Sequence, residues 1–162
     1  LLMRLLSKQE DAEVWKQDML VLAAFAESTA VVAELLKDDD VDKDGEGEGA
    51  LVEEEELEGV TALQAAARDG KPRCLELLLA AGADAEKANG YGTTPLIAAA
   101  NDGALCVSAA NSQTRVCVER LLEAGADKDG QNKGGVSAYQ CAAGLGLQVL
   151  YTVLFRAILR MA

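Results

Sequence analysis

The chain of 162 residues has no histidine, two prolines, 4% aromatics and only 15 Lys+Arg against 27 Asp+Glu. Without His there are no Ser-His-Asp or Cys-His nucleophile systems, no imidazole general base and no His-containing zinc site. A formal net charge of -12 excludes nucleic-acid binding through bulk charge, because neutralising phosphates takes clustered Lys and Arg. Four cysteines, at 74, 106, 117 and 141, form no CxxC pair. They read as small apolar core residues of a reducing, intracellular compartment rather than as a disulfide frame or metal knuckle. The sequence also lacks G-x-S-x-G and any phosphate-binding glycine loop with Lys. No catalytic constellation and no cofactor is therefore expected.

Half the residues are apolar, enough for a core in one domain of this length. The acidity is concentrated. Residues 38–58 hold twelve acids and one Lys, Lys43, so that stretch carries -11 and the other 141 residues only -1. Like charges interleaved with Gly45, Gly47 and Gly49 repel one another and have little to bury, which predicts a mobile loop.

The remainder is repetitive. GVTALQAAARDG (59–70), GTTPLIAAANDG (92–103) and GVSAYQCAAGLG (135–146) align, as do LELLLAAGAD (75–84) and VERLLEAGAD (118–127). The first spacing is 33 residues and the second 43, the extra ten lying within 104–114. A degraded copy, LVLAAFAESTAVVAELL (20–36), precedes the acidic stretch, with Glu27 at the glycine position and the G-A-D turn replaced by acids. These blocks resemble the ankyrin repeat, which has a 33-residue period and T-P-L-H-x-A at its start. The resemblance covers residues 59–162 well and departs in every copy at the His position, here Gln64, Ile97 and Gln140. Loss of that His implies weaker bracing of the turn.

The resemblance implies an all-α solenoid of three to four helix-turn-helix repeats with short β-turn fingers. Residues 1–37 would be an N-terminal helix and a degenerate first repeat, 38–58 the acidic Gly-rich loop, and 59–162 three repeats, the middle one with an insertion. Thr94 is placed to N-cap a helix with Pro95 in its first turn. Runs of Ala let first helices approach closely, and Gly82 and Gly125 suit a left-handed C-cap. Each hairpin leaves an apolar face that only stacking buries.

The resemblance further implies a non-enzymatic protein–protein interaction scaffold, with fingers and first helices forming a concave binding surface. By register that surface includes Arg68, Asp69, Glu86, Lys87, Asn89, Tyr91, Asn101, Asp102, Lys128, Gln131, Asn132 and Lys133, with Tyr91 the aromatic anchor. The expected partner is another protein or complex, with no small-molecule substrate.

Three other signals are present. Asp40, Asp42 and Asp44 followed by Gly45 match the first half of an EF-hand loop, but its twelfth position is Leu51 where a bidentate Glu belongs. A solvated acidic loop is the preferred reading over a calcium-responsive regulator. Residues 134–155 carry no charge, yet glycines, Gln140, Gln148 and Thr152 dilute the run and the repeat register splits it, so no transmembrane span is expected. Leu147, Tyr151, Phe155 and Ile158 exceed what one buried face needs, which predicts apolar contact with another protein and, as an alternative function, a structural subunit of a large, membrane-adjacent complex. Finally, Ser7 and Glu10 form a capping box before a helix bearing Val14, Trp15 and Leu20. The chain begins without Met, so it is expected to be a fragment or a processed product. The cytoplasm, or an organelle after presequence removal, is the expected location.

Overall fold

The computed structural model of the chain describes residues 11–47, 59–102, 110–144, 152–156 and 159. Seven helices follow one another: α1 (Asp11–Phe25), α2 (Thr29–Leu35), α3 (Ala62–Arg68), α4 (Pro72–Ala80), α5 (Pro95–Asp102), α6 (Ala110–Glu123) and α7 (Ala138–Gly144). A further helical segment covers 152–156. No strand occurs among the described residues; only isolated bridges, Glu46 with Thr61 and Gln131 with Ser137, mark the fingers.

The helices stack in two rows. α1, α3, α5 and α7 contact one another in sequence, and α2, α4 and α6 form a second row behind them. Alanine makes the first row possible: Ala23, Ala24, Ala65, Ala66, Ala67, Ala99, Ala100, Ala138 and Ala142 are all buried. A helix carrying only methyl groups on its contact side can come close to neighbours on both flanks, and Ala costs no side-chain entropy in the helix. The second row supplies bulk, with Leu75, Leu78, Val118 and Leu121 fully buried. Removing any one of these to Ala would cost about 2–5 kcal/mol by the usual transfer and cavity terms.

Local signals operate as the sequence suggests. The Ile97 N–H donates to the Thr94 hydroxyl (3.4 Å), and α5 begins at Pro95. Gly82 and Gly125 have φ of +90° and +94°, and the next N–H of each, at Ala83 and Ala126, returns to the Leu78 and Leu121 carbonyls (both 3.0 Å). Cys74 and Cys117 lie in the core, Cys141 is half-buried, and Cys106 lies outside the described residues. The Ser7–Glu10 pair also lies outside them.

Three features differ from the sequence reading. The G-A-D turn of the first repeat is not lost: Val41-Asp42 occupies it, Val41 being as buried (5%) as Ala83 (8%) and Ala126 (7%). A branched aliphatic replaces Ala because the degenerate first repeat leaves more room there. Residues 38–47 consequently build an ankyrin-type finger rather than the start of a loop with nothing to bury. The ten extra residues of the third repeat are partly helical, since Ala110–Thr114 lengthen α6 to 14 residues, against nine in α4.

Candidate functional site

Each finger starts with the same turn. Asp42, Asp84 and Asp127 accept, through Oδ1, the N–H two residues on, from Asp44 (3.0 Å), Glu86 (2.8 Å) and Asp129 (2.9 Å). Such Asx turns mimic a backbone turn and fix the finger's entry angle. Adjacent fingers are then tied together. Asp44 Oδ1 accepts the Asp84 N–H (2.7 Å), and Glu86 Oε1 accepts the Asp127 N–H (2.8 Å). The acid two places after the turn Asp thus reaches the turn Asp of the next finger. Asp42 and Asp44 occupy the register of Asp127 and Asp129, and VDKDG is a finger sequence like ADKDG. Their Oδ1 atoms are engaged within the fold, which explains the resemblance to half a calcium loop without a metal. Asp40 stands before this turn, and its N–H donates to Asp38. The Lys16 ammonium holds the Asp38 carboxyl below its ordinary range, with the Asp40 N–H adding to the effect.

A second set of contacts braces each finger against the first helix of its own repeat. Gln64, 2% exposed, donates from Nε2 to the carbonyls of Lys87 (2.9 Å) and Thr93 (2.7 Å). Its Oε1 accepts the Thr61 N–H (3.1 Å), completing a reciprocal capping box with the Thr61 hydroxyl. A single amide therefore caps α3 and clamps the finger of 83–94. Bracing is not weakened by the absent imidazole at this position. In the first repeat Gln17 does the same one helical turn earlier, donating to the Gly45 carbonyl (2.7 Å). At the third repeat Ile97 can donate nothing, and Lys133 substitutes: its N–H donates to the Tyr91 carbonyl (3.1 Å) and its Nζ to the Gly90 carbonyl (2.6 Å). Gln17 and the finger-linking role of Lys133 were not foreseen; the repeat register, which puts Val21 at the Gln64 position, conceals the first.

Between and beyond these ties lie the residues expected to bind a partner. Asn89 and Asn132 are half-buried and build the fingertips, each Oδ1 accepting two backbone N–H groups: those of Tyr91 and Thr93, and those of Gly134 and Val136. Glu86 is exposed but committed to Asp127, and half-buried Lys87 offers its carbonyl to Gln64. Lys128 pairs with Asp129. Gln131 and Asn101 are exposed. Asp102 ends α5, and its side chain is outside the description. Arg68 lies over the Phe25 ring (5.9 Å) and pairs with Asp69 (3.2 Å), both half-buried. Tyr91 stands apart at 77% exposure on the second fingertip. Of the C-terminal apolar candidates, Phe155 is 42% exposed; Leu147, Tyr151 and Ile158 lie outside the described residues.

The reactive groups are muted. Burial, with Glu76 and Glu27 nearby, pushes the Cys117 thiol up to about 12, and burial also raises Cys74 and Cys141. Raised thiol pKa values mean little thiolate and low nucleophilicity. Among the described residues no three His, Cys, Asp or Glu side chains are grouped to hold a metal ion, and no helix is long and apolar enough to cross a membrane.

Paired helices in two rows, with fingers turned and clamped at a fixed register, define a helical-hairpin solenoid. Residues 20–109 match the family model described as ankyrin repeats (3 copies), and the chain belongs to the ankyrin repeat family. The match begins in α1 and so takes in the degenerate first repeat. Comparison with curated proteins gives no significant match. Ankyrin repeats are generally protein–protein interaction modules, and protein partners follow from that.

Proposed function

We propose that this chain is a non-enzymatic adaptor that grips another protein with its row of fingers and the adjoining first helices. The observation carrying this reading is Tyr91: a large aromatic, 77% exposed, on a tip whose backbone is held by Asn89 and by Lys133 of the next finger. An amphipathic ring on a preorganised turn loses little entropy on binding, and such residues dominate interface energetics. Asn101, Gln131 and Lys133 lie exposed beside it to supply polar contacts. Once a partner has been recovered from native extract by crosslinking and identified, Tyr91→Ala should weaken its binding by more than about 1 kcal/mol. Unchanged affinity would remove the finger tip from the interface.

A second reading, a permanent subunit held by its C-terminal helix, is favoured by Phe155 and Leu159, which are 42% and 58% exposed and one turn apart. A purified chain that stays monomeric supports the adaptor; one that self-associates through these residues supports the subunit.

A further inference from the structure

The contacts that clamp one finger to the repeat before it recur along the molecule, and at its C-terminal end they have no described occupant. Gln140 holds the position of Gln64, and its capping half is intact: Oε1 accepts the Ser137 N–H (2.8 Å), and its own N–H donates to the Ser137 hydroxyl (3.3 Å). Its amide nitrogen donates to no described residue, and the side chain is exposed where Gln64 is 2% exposed. Ala143 is likewise exposed although its counterpart Ala67 is fully buried. Asp129 holds the position of Asp44 and Glu86, whose carboxylates each take the N–H of the next finger; no N–H of a described residue reaches Asp129. Beside it opens a cavity of about 890 Å³, lined by Asp127–Asp129, by Glu119, Leu122 and Glu123 of α6, and by Val153 and Arg156. The second hairpin helix of this last repeat carries Ile158 where Gly82 and Gly125 end the others, and residue 159 is still helical. No finger departs there to fill the space.

We infer that this end face is a docking site for an extended, cation-bearing segment of a partner protein, seated as a finger in trans. Two carbonyls of the segment accept from Gln140 Nε2, one of its N–H groups donates to Asp129, and its cationic side chain faces the cavity. The charge follows from the lining: Glu119, Glu123, Asp127 and Asp129 outnumber Lys128 and Arg156. The backbone requirement follows from what fills the same position over Gln64, namely the carbonyls of Lys87 and Thr93. This face is separate from the Tyr91 fingertip, so the inference stands or falls independently of the proposed adaptor surface.

The test is a titration of the isotope-labelled chain with a synthetic peptide of its own second finger, residues 82–94, followed by NMR. The expected result is a saturable shift of the Gln140 side-chain amide and of the backbone amides at 128–130. Gln140→Glu keeps the capping oxygen and removes the donor, so it should weaken peptide binding at least about fivefold without unfolding the repeat. Asp129→Asn should weaken it similarly, as should a peptide carrying Glu in place of Lys87, while Tyr91→Ala should leave it unchanged. Absence of shifts at millimolar peptide would overturn the inference. So would binding that survives in Gln140→Glu, or the same shifts appearing when the chain alone is concentrated, which would make a second copy the occupant.

Discussion

Gln64 and Gln140 occupy one repeat position and should respond oppositely to one substitution. Gln64→Glu leaves a buried carboxylate facing the Lys87 and Thr93 carbonyls and removes both donors. Unfolding in urea should show a loss of about 3 kcal/mol or more, since a lost donor and a buried charge both count. Gln140→Glu, exposed and still able to cap, should stay within about 0.5 kcal/mol. Equal effects would mean that the brace contributes nothing. Backbone conformation sets a second contrast. Gly70 has φ +64° and Glu27, at the same repeat position, has φ +57°. A Cβ on Gly70 would meet Thr114 Oγ1 at 2.9 Å, a buried hydroxyl with no partner of its own. Gly70→Ala should destabilise by more than about 1 kcal/mol, whereas Glu27→Gly should be neutral or stabilising, relief of left-handed strain offsetting a weak ion pair to Lys71 (3.6 Å). Thermal denaturation measures both. At this scale the turn glycines and the Thr94 cap were legible because each is a local signal. The brace was not: Gln64 reaches carbonyls 23 and 29 residues away, and a letter that is not His conceals an amide able to replace it.

The helices themselves were legible wherever a hairpin repeats, because apolar spacing, Pro at the first turn and Gly at the last recur in register. The acidic stretch was misleading for an electrostatic reason. Its first ten residues look like a self-repelling loop when charges are counted, yet Val41 is buried and Asp42 and Asp44 direct their oxygens to backbone N–H groups of this finger and the next. Counting charge could not separate acids that cap turns from acids that only face water. In α6 the same separation applies to thiols. Cys117 is fully buried, accounting for its pKa near 12 against an ordinary 9.0. Below about pH 9 both folded and unfolded chains keep that proton; between about 9 and about 12 only the unfolded chain releases it. The unfolded state then binds fewer protons, so stability falls as pH rises across that window, by about 1 kcal/mol per unit from this group. Cys117→Ala should be less stable at neutral pH from the smaller side chain, but its stability should decline less steeply from pH 9 to 11 in urea titrations. An identical slope would place the thiol in contact with water.

Over the whole molecule, function depends on holding the fingers in a fixed row. Ion pairs on the outer row, such as Glu76 with Arg120 (2.8 Å) across two repeats, are exposed and contribute little. Buried alanine and leucine set the stacking, and the ladder from Gln17 through Asp44, Gln64, Glu86 and Lys133 orients the tips. The stacking could be read from the spacing of GVTALQAAARDG and its copies; the ladder depends on which fingers become neighbours in space. Fingers and first helices are therefore rigid and partly exposed, while the outer row presents isolated charges such as Arg73. The most direct measurement is site-specific photo-crosslinking in native extract, with a photoreactive phenylalanine at Tyr91 or Asn101 and, as comparison, at Arg73. A discrete partner adduct from Tyr91 and Asn101 but not from Arg73 is the predicted result; the same adduct arising only from Arg73 would contradict it.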